Sequence, residues 1–367
     1  MGSLLKDVYS ISFYNTLGEV LEKIIPGFKS TTFKKSIYTS DFENKELKQR
    51  MRHTSVVLHD FLPKDYKKAV QLIKQAIFLI REKGIHDDGL AYMFFPDYIE
   101  VYGVDDYEIS IDAIEYITQF VSCEFAVRPF LLKYGDRMIQ QMSLWSKHKN
   151  SKVRRLASEG SRPRLPWAMA VPILKKEPEK LLPILENLKN DSSESVRRSV
   201  ANSLNDISKD HPDIVIAIAK KWYGNNKETD AIIKHGSRTL LKQGHAEILH
   251  HFGLESKNIH LNDFKITSNK VRIGDHLEFN FTINNANTTT QKVRLEYAIY
   301  YRLQNGKLSR KVFKISERDY LPATSAAVRR IHKFAIITTR TFYTGAHQLG
   351  IIINGEEKNI VNFELIE

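Results

Sequence analysis

The tripeptide Val-Arg-Arg occurs at residues 153–155 and again at 196–198, an offset of 43 residues. Acidic residues stand close to the arginines in both copies. An offset of this length is typical of a HEAT-like helical repeat. Repeats of this kind stack into a solenoid, and the concave face of a solenoid is an extended binding surface. The repeat therefore predicts an α-solenoid around these residues.

Apolar spacing extends the helical prediction over most of the chain. Residues 69–80 place apolar side chains three and four positions apart, as one face of a helix does. We expect Asp65 to cap the helix that follows it. We expect Asp112 to cap another, with Glu115 at the capping-box position. Further helices are predicted at 132–149, 152–160, 166–175, 178–189, 193–207, 211–222 and 228–242.

From about residue 257 the period of the apolar pattern changes to two, which is typical of strands. Two Asn-Gly pairs, at 305–306 and 354–355, indicate hairpin turns. About seven short strands are predicted, including 277–283, 293–299, 312–315, 332–337, 349–353 and 360–365. The fold class is therefore mainly α, a HEAT-like α-solenoid over residues 1–255 followed by a small all-β immunoglobulin-like sandwich over 256–367.

The net charge of the chain is +12, which favours a polyanionic partner such as nucleic acid or an anionic membrane face. The segment from residue 256 onward holds 17 Lys and Arg against 10 Asp and Glu, so it is the more basic part per residue. Its cations predict a face that binds such a polyanionic partner, with Arg310, Lys311, Arg329 and Arg330 as candidates for nucleic-acid binding. The alternative is a stability or linker module with a solvated basic face.

The single cysteine, Cys123, excludes an intramolecular disulfide and suits a reducing cytosol. Because it lies in an apolar run, we interpret it as a core residue and not as a nucleophile. The sequence has neither an apolar stretch long enough for a membrane span nor a signal-peptide pattern. We therefore expect a cytoplasmic protein that does not bind membranes.

Residues 159–167, Glu-Gly-Ser-Arg-Pro-Arg-Leu-Pro-Trp, and residues 196–202 and 204–212 carry a family resemblance. Together with the opening Leu5-Lys6-Asp7-Val8-Tyr9, they resemble the AlkC family of bacterial DNA alkylation repair glycosylases. The resemblance covers roughly residues 4–250. Some members carry a C-terminal immunoglobulin-like domain, and this chain is similar to that subset.

The resemblance implies excision of N3-alkylated bases, 3-methyladenine and also 3-methylcytosine, from double-stranded DNA. It places Asp206 in the catalytic role, with Glu159 and Glu124 also lining the lesion. An N3-alkylated base is already cationic and leaves without a general acid, so a carboxylate is needed to stabilise positive charge on the deoxyribose and to place water. The resemblance also implies no cofactor and no metal, and a monomer associated with the bacterial nucleoid.

Each carboxylate also has a structural interpretation. Asp206 could be a helix-end cap or could hydrogen-bond the repeat loop. Glu159 lies at a helix C-terminus, where the helix dipole disfavours an acidic group, and it could pair with Arg162 or Arg155. Glu124 interrupts an apolar run and could pair with Arg128 four residues on.

Trp167 follows two loop prolines and is the candidate for contact with the lesion, because aromatic faces suit cations. The alternative is a buried Trp between repeats. Arginine forks suit phosphate oxygens, although one arginine of each repeat pair often braces a neighbouring helix. The candidates for DNA binding in the helical part are Arg128, Arg154, Arg155, Arg162, Arg164, Arg197 and Arg198.

The remaining candidate motifs do not indicate a metal site. The groups His86-Asp87-Asp88 and His250-His251 lack partners at metal-ligand spacing, and we interpret them as surface polar groups.

Two functions compete with the glycosylase. The first is a non-catalytic HEAT-repeat scaffold for DNA or protein. The second is a basic membrane adaptor, which predicts an anchor that the sequence lacks. A pure DNA binder gains nothing from carboxylates on its phosphate-facing side.

Overall fold

The computed structural model describes residues 4–85, 89–336 and 340–367. Its helical part precedes its strands. The α-helices of the described residues are Ile11–Ile24 (α1), Ser30–Ile37 (α2), Leu47–Phe61 (α3), Tyr66–Glu82 (α4), Phe94–Tyr102 (α5), Tyr107–Thr118 (α6), Val127–Tyr134 (α7), Asp136–Trp145 (α8), Ser151–Gly160 (α9), Ile173–Lys176 (α10), Leu182–Leu188 (α11), Glu194–Ile207 (α12), Pro212–Trp222 (α13), Lys227–Gly236 (α14), Arg238–Gln243 (α15) and Ala246–His251 (α16).

The helical part is a row of stacked helices, as the repeat predicts. α3 packs on α5, α5 on α6, α6 on α9, α9 on α12 and α12 on α14. The valines of the two Val-Arg-Arg copies, Val153 and Val196, are fully buried in this row. The α-solenoid is therefore confirmed.

The two predicted helix caps have different outcomes. Asp65 caps α4 as expected, because its side chain accepts a hydrogen bond from the Lys68 backbone N–H at 3.1 Å. The cap predicted at Asp112 is wrong, since α6 begins at Tyr107 and passes through that residue. The Asp112 carboxylate instead pairs with Lys74 on α4. A capping-box pattern can thus occur inside a continuous helix.

Three predicted helices are shorter than expected. The span 132–149 is divided at Gly135, whose φ of 49° does not continue a helix, and α8 ends at Trp145. The span 228–242 is divided at Ser237, between α14 and α15. The span 166–175 is mostly loop, because Pro166 and Pro172 interrupt helical hydrogen bonding, and only α10 remains.

By compactness the chain forms two units. Of the described residues, those up to 211 and 222–236 form the first unit, and 212–221 and those from 237 onward form the second. The second unit thus includes α15 and α16, and the backbone of Gly244 lies so near that of Gly355 that a Cβ on Gly244 would meet the Gly355 carbonyl oxygen at 2.7 Å. The functional division at 255/256 stays a prediction.

The second unit contains a β-sandwich of two sheets. One sheet has the strand order β1-β3-β6, and the other has the order β2-β8-β7-β4-β5, in which only β2 and β8 are parallel. The strands of the described residues are Ile259–Ile266 (β1), Lys270–Arg272 (β2), His276–Asn285 (β3), Gln291–Arg302 (β4), Leu308–Tyr320 (β5), Thr324–Lys333 (β6), Gly345–Ile353 (β7) and Glu356–Ile366 (β8).

The sandwich confirms the predicted class and both turns. Asn354 and Gly355 have φ of 45° and 80° between β7 and β8, and Gly306 has φ of 78° between β4 and β5. The strand predicted at 332–337 is misplaced, since β6 ends at Lys333, and Ile337 lies outside the described residues. β6 is an edge strand with alanines and arginines, so it lacks the apolar alternation that revealed its neighbours.

His332 is a buried titratable group in this sandwich. Its Nδ1 lies 3.0 Å from the Tyr297 hydroxyl and its Nε2 lies 2.8 Å from the Tyr301 hydroxyl. A neutral ring satisfies both hydroxyls, donating to one and accepting from the other. Burial lowers the pKa of His332 to about 4, and the charges of Arg340 and Lys311 contribute to the same shift. The ring is therefore neutral at pH 7.

This pKa predicts that the sandwich loses stability in mild acid. Between pH 6.5 and about 4 the unfolded chain binds a proton at His332 that the folded chain does not, so the free energy of unfolding falls as the pH falls. The full difference corresponds to about 3 kcal/mol. We expect His332→Gln, which does not titrate, to show a smaller drop in melting temperature between pH 7 and pH 5. Equal drops in both proteins would contradict this assignment.

Candidate active site

Two neighbouring helices bring the predicted carboxylates together. α9 and α12 run parallel, because side chains pair across them at offsets of 41 and 44 residues. The buried Ser158 and Ser199 hydroxyls are 2.7 Å apart between the helices. Both helices end at the same side of the row, so Glu159 near the end of α9 and Asp206 near the end of α12 lie close to each other.

A guanidinium joins these two carboxylates. Arg162 donates from Nη1 to Glu159 Oε1 at 2.6 Å and from Nε to Asp206 Oδ2 at 2.8 Å. All three residues are buried: Glu159 is 6% exposed, Asp206 1% and Arg162 7%. Burial by itself lowers the pKa of Arg162, but the hydrogen bonds and charges of Asp206 and Glu159 raise it above its ordinary value. The guanidinium is thus a buried planar cation between two carboxylates.

Further cations approach the same carboxylates from outside. Lys209 Nζ lies 3.3 Å from Asp206 Oδ1, and Arg155 Nη2 lies 4.0 Å from Glu159 Oε2. The ion pairs considered for Glu159, with Arg162 and with Arg155, are therefore both present. The Asp206 side chain contacts Arg162 in the loop after α9, so the hydrogen bond to a repeat loop considered from the sequence is present.

Glu124 lies just before α7 and joins this network through Arg155. Its Oε2 accepts from Arg155 Nη1 and from the Ser122 hydroxyl, both at 2.9 Å. The pairing with Arg128 considered from the sequence is wrong. The segment that contains Glu124 is not yet helical, so the four-residue spacing does not bring the two side chains together.

Trp167 lies in the loop between α9 and α10. Its side chain is 68% exposed, which rules out the alternative of a Trp buried between repeats. Its φ is 64°, a left-handed conformation that costs a non-glycine residue on the order of 1–3 kcal/mol. Lys48 on α3 donates from Nζ to the Trp167 carbonyl oxygen at 2.8 Å.

These side chains border a groove of about 670 Å³. Glu124, Glu159 and Trp167 line it directly, whereas Asp206 lies behind Arg162 and is not among its lining residues. Apolar residues also line the groove. The described residues that complete the lining are Tyr9, Leu47, Lys48, Met51, Leu90, Met93, Thr118, Val121, Ser122, Phe125, Lys152, Arg155, Arg162, Leu165, Pro166 and Ser195.

The repeat arginines divide into two kinds. The first arginine of each Val-Arg-Arg copy braces the preceding loop: Arg154 Nη1 donates to the carbonyls of residues 148 and 149, and Arg197 Nη1 to those of 191 and 192. The second arginine of each copy contacts a carboxylate side chain instead. Arg155 lines the groove, and Arg198 pairs at the surface with Glu194 at 2.7 Å.

The other predicted arginines of the helical unit also have protein partners. Arg164 pairs with Asp210, with 2.7 Å between Nη2 and Oδ1. Arg128 is only 1% exposed and donates to the carbonyl oxygens of Gly160, at the end of α9, and of Arg162 and Met169 in the loop that follows. Burial, with the nearby charge of Arg162, lowers the pKa of Arg128 to about 10. Its geometry is that of a brace.

The four sandwich cations are all exposed on β5 and β6, the edge strands of the two sheets. Arg330 Nη2 donates to the Ile315 carbonyl oxygen across the two edges at 3.3 Å. Arg329 pairs with Glu278, and Arg310 Nε lies 3.1 Å from the Tyr300 hydroxyl. Lys311 Nζ lies 5.4 Å from the centre of the Phe313 ring.

Sequence reasoning did not find Lys48, Ser122 or Lys209. Lys48 contacts a residue 119 positions away, so no local pattern could reveal it. Ser122 and Lys209 lie two and three residues from a predicted carboxylate, and such proximity was the only signal in the sequence.

Within residues 4–85, 89–336 and 340–367, no group of three or more His, Cys, Asp or Glu side chains is arranged to hold a metal ion. His250 lies at the surface, 3.6 Å from Glu255, while His86, Asp87 and Asp88 lie outside the described residues. None of the described helices has the length and apolar character needed to cross a membrane.

The buried ion pairs predict a large loss of stability when Arg162 is removed. Arg162→Leu leaves two buried carboxylates without their guanidinium, so we expect the free energy of unfolding to fall by about 3–5 kcal/mol. Arg198→Leu removes a surface pair and should change it by about 0.5 kcal/mol at most. Adding Glu159→Gln and Asp206→Asn to Arg162→Leu should recover part of the stability. Equal denaturation midpoints for Arg162→Leu and Arg198→Leu would contradict this prediction.

Two family models match the chain. Residues 102–240 match the model described as a DNA alkylation repair enzyme. Residues 260–367 match the model described as the C-terminal Ig-like domain of the uncharacterised protein YhaZ. The first range includes all the carboxylates of the groove, and the second covers almost the whole sandwich.

Two relatives are similar over their full length. The uncharacterized protein YhaZ of Bacillus subtilis (strain 168) is 44% identical over 362 residues, which is 98% of this chain and 99% of YhaZ. The solved structure of the Pseudomonas fluorescens alkylpurine DNA glycosylase AlkC, bound to DNA containing an abasic site analog, is 34% identical, with a TM-score of 0.93 over 100% of both chains. The chain therefore belongs to the AlkC family of DNA alkylation repair proteins, in the subset with a C-terminal immunoglobulin-like domain.

Proposed function

We propose that this protein is a DNA N-glycosylase that excises N3-alkylated, cationic bases from duplex DNA. Its substrates are 3-methyladenine and, by the same charge argument, 3-methylcytosine. The similarity to a DNA-bound alkylpurine glycosylase over the whole chain supports DNA as its partner. We further propose that it acts in the cytoplasm, at the nucleoid, as a monomer and without a cofactor or metal.

The observation that carries this proposal is the cation that the site already holds. The Arg162 guanidinium is planar and delocalised, and two buried carboxylates contact it from two sides. An N3-alkylated adenine or cytosine is likewise planar, delocalised and positively charged. A site that stabilises the first kind of cation has the charge needed for the second.

The same carboxylates suit the reaction. As the cationic base leaves, positive charge moves onto the deoxyribose, and fixed negative charge in a buried site stabilises that transition state. Asp206 is our candidate for this role and for orienting the attacking water. Since Asp206 lies behind Arg162, its carboxylate reaches the sugar only when the guanidinium turns aside. The incoming cation then replaces the positive charge that has moved away from Glu159 and Asp206.

Glu124 and Trp167 complete the proposed site from the other lining segments. Glu124 adds a carboxylate to the groove, held by Arg155 and Ser122. Trp167 presents an exposed aromatic face to the lesion nucleotide, and such faces attract cations. Because the groove is open, we propose that the lesion is approached on bent DNA and not in a narrow pocket.

The candidate DNA-binding residues differ in how far they are exposed and in how many contacts they make within the protein. Arg155, Arg164 and Arg198 are partly or fully exposed and suit phosphate contacts, as do Arg310, Lys311, Arg329 and Arg330. Arg128, Arg154, Arg162 and Arg197 already donate to carbonyls or carboxylates of the protein. These contacts hold the chain together, so we give these four less weight as phosphate contacts.

The proposed activity is tested by release of free base. We expect duplex DNA treated with a methylating agent to yield free 3-methyladenine when incubated with excess protein in the presence of a chelator, as measured by chromatography of the released bases. A non-catalytic scaffold would bind the same DNA and leave the release at its spontaneous rate. That outcome would remove the glycosylase proposal.

The carboxylate role is tested by Asp206→Asn, which keeps the shape of the side chain and removes its charge. We expect single-turnover excision to slow by about 100-fold or more, as when one preorganised electrostatic interaction is removed. DNA affinity should stay close to the wild-type value, because Asp206 is buried behind Arg162 and does not line the groove. Near-normal turnover of this variant would exclude Asp206 from the mechanism.

The sandwich cations predict a change in the salt dependence of DNA binding. If Lys311 and Arg330 each neutralise a phosphate, the double variant to Gln should lower the slope of log affinity against log salt by about 0.9 for each of these phosphates. Lys358→Gln, which removes the partner of Glu356 on β8, is the charge control. Parallel salt lines for the double variant and the wild type would mean that this basic edge is only a solvated surface.

A further inference from the structure

The loop that carries Trp167 is fastened at both ends by one buried guanidinium. Arg128 Nη1 donates to the Gly160 and Arg162 carbonyl oxygens at 2.9 and 2.8 Å, where the loop leaves α9. Its Nε donates to the Met169 carbonyl oxygen at 2.9 Å, two residues past Trp167. The three acceptors thus lie on both sides of the exposed indole. A single side chain therefore fixes the separation of the two loop ends.

Close packing places Arg128 at the base of this loop. A Cβ on Gly160 would lie 2.6 Å from Val127 Cγ2, so the last turn of α9 approaches α7 as only a glycine permits. The neighbouring Arg128 is then within reach of carbonyls that α9 leaves without helical partners at its end. Its donors are used for backbone and not for a carboxylate, which is unusual for a buried cation.

A second cation holds the middle of the loop from a different helix. Lys48 on α3 donates from Nζ to the carbonyl oxygen of Trp167 itself at 2.8 Å, and the ammonium lies 5.2 Å from the centre of the Phe125 ring. Trp167 has a φ of 64°, which an unrestrained loop residue with a side chain seldom adopts. The left-handed conformation is therefore maintained by contacts outside the loop.

We propose that Lys48 and Arg128 are positioning residues that hold the Trp167 loop, residues 161–169, in the conformation that presents the indole to the groove. Lys48 fixes the peptide of Trp167, and Arg128 fixes the two ends. The effect on excision rests on the proposed glycosylase function. The effect on the loop does not, because it belongs to the protein without DNA.

The test uses the fluorescence of the full-length protein. The chain has three tryptophans, and Trp145 and Trp222 are each 1% exposed, so a soluble quencher such as acrylamide reports on Trp167. We expect Lys48→Met to raise the quenching constant in the absence of DNA, because the loop loses its central fastening. Lys48→Arg, which keeps a donor, should restore part of the wild-type value. Trp167→Phe supplies the signal of the two buried tryptophans.

Activity gives a second readout. On methylated duplex DNA we expect the single-turnover rate constant of Lys48→Met to fall by about 10- to 100-fold, as for misplacement of a positioned group. Arg128→Lys should move both quenching and rate in the same direction. Lys83→Met, which removes a surface ion pair with Glu19, is the control and should leave both at wild-type values.

Two outcomes would overturn the proposal. One is that the quenching constant fails to rise in both Lys48→Met and Arg128→Lys while their melting temperatures match the wild type. The other is that Lys48→Met keeps wild-type quenching and lowers the salt slope of DNA binding by about 0.9, which would make Lys48 a phosphate contact. An absence of base release by the wild type would remove the proposed function but would leave the quenching result interpretable.

Discussion

The contact of Arg162 with Glu159 and Asp206 is the interaction on which the helical unit depends. Taking three charges out of water costs several kcal/mol for each ion, about as much as the net stability of many domains. This cost is offset as long as a cation stays between the two carboxylates, and in the protein without DNA that cation is the hydrogen-bonded guanidinium. The ends of α9 and α12 and the start of the following loop are therefore constrained together.

The same constraint extends to Glu124, which also lines the groove. Arg155 contacts Glu124 and approaches Glu159, so it connects the segment before α7 with the end of α9. Arg128 connects α7 to the same loop through carbonyl oxygens. If α7, the segment before it or the end of α9 were displaced, it would lose a charged contact with a neighbouring segment. The groove is thus lined both by charged residues that hold one another in place and by apolar residues.

Local patterns predicted the parts of the fold that depend on local physics. The helical repeat, the Asp65 cap and the two Asn-Gly turns each follow from residues near one another in sequence. The conformation of the 161–169 loop and the partner of Glu124 depend on contacts between residues far apart in sequence, which spacing cannot supply. Edge strand β6 was misplaced because its burial is too slight to impose apolar alternation. Family resemblance names the candidate carboxylates, but the sharing of Arg162 between Glu159 and Asp206 joins segments more than 40 residues apart, which no local pattern predicts.

The braces made by Arg154 and Arg197 have a consequence for how such a protein can change over time. Each arginine holds carbonyls six and five residues before itself, inside its own repeat. The unit of 43 residues therefore brings its own fastening for the loop that precedes it. Duplication or deletion of a whole unit would keep each arginine beside its carbonyls and, among the contacts of these two arginines, would change only the pair that Arg154 forms with Asp191 in the next unit. An insertion within a unit would separate an arginine from its carbonyls. The row of helices can accordingly change its length in whole repeats.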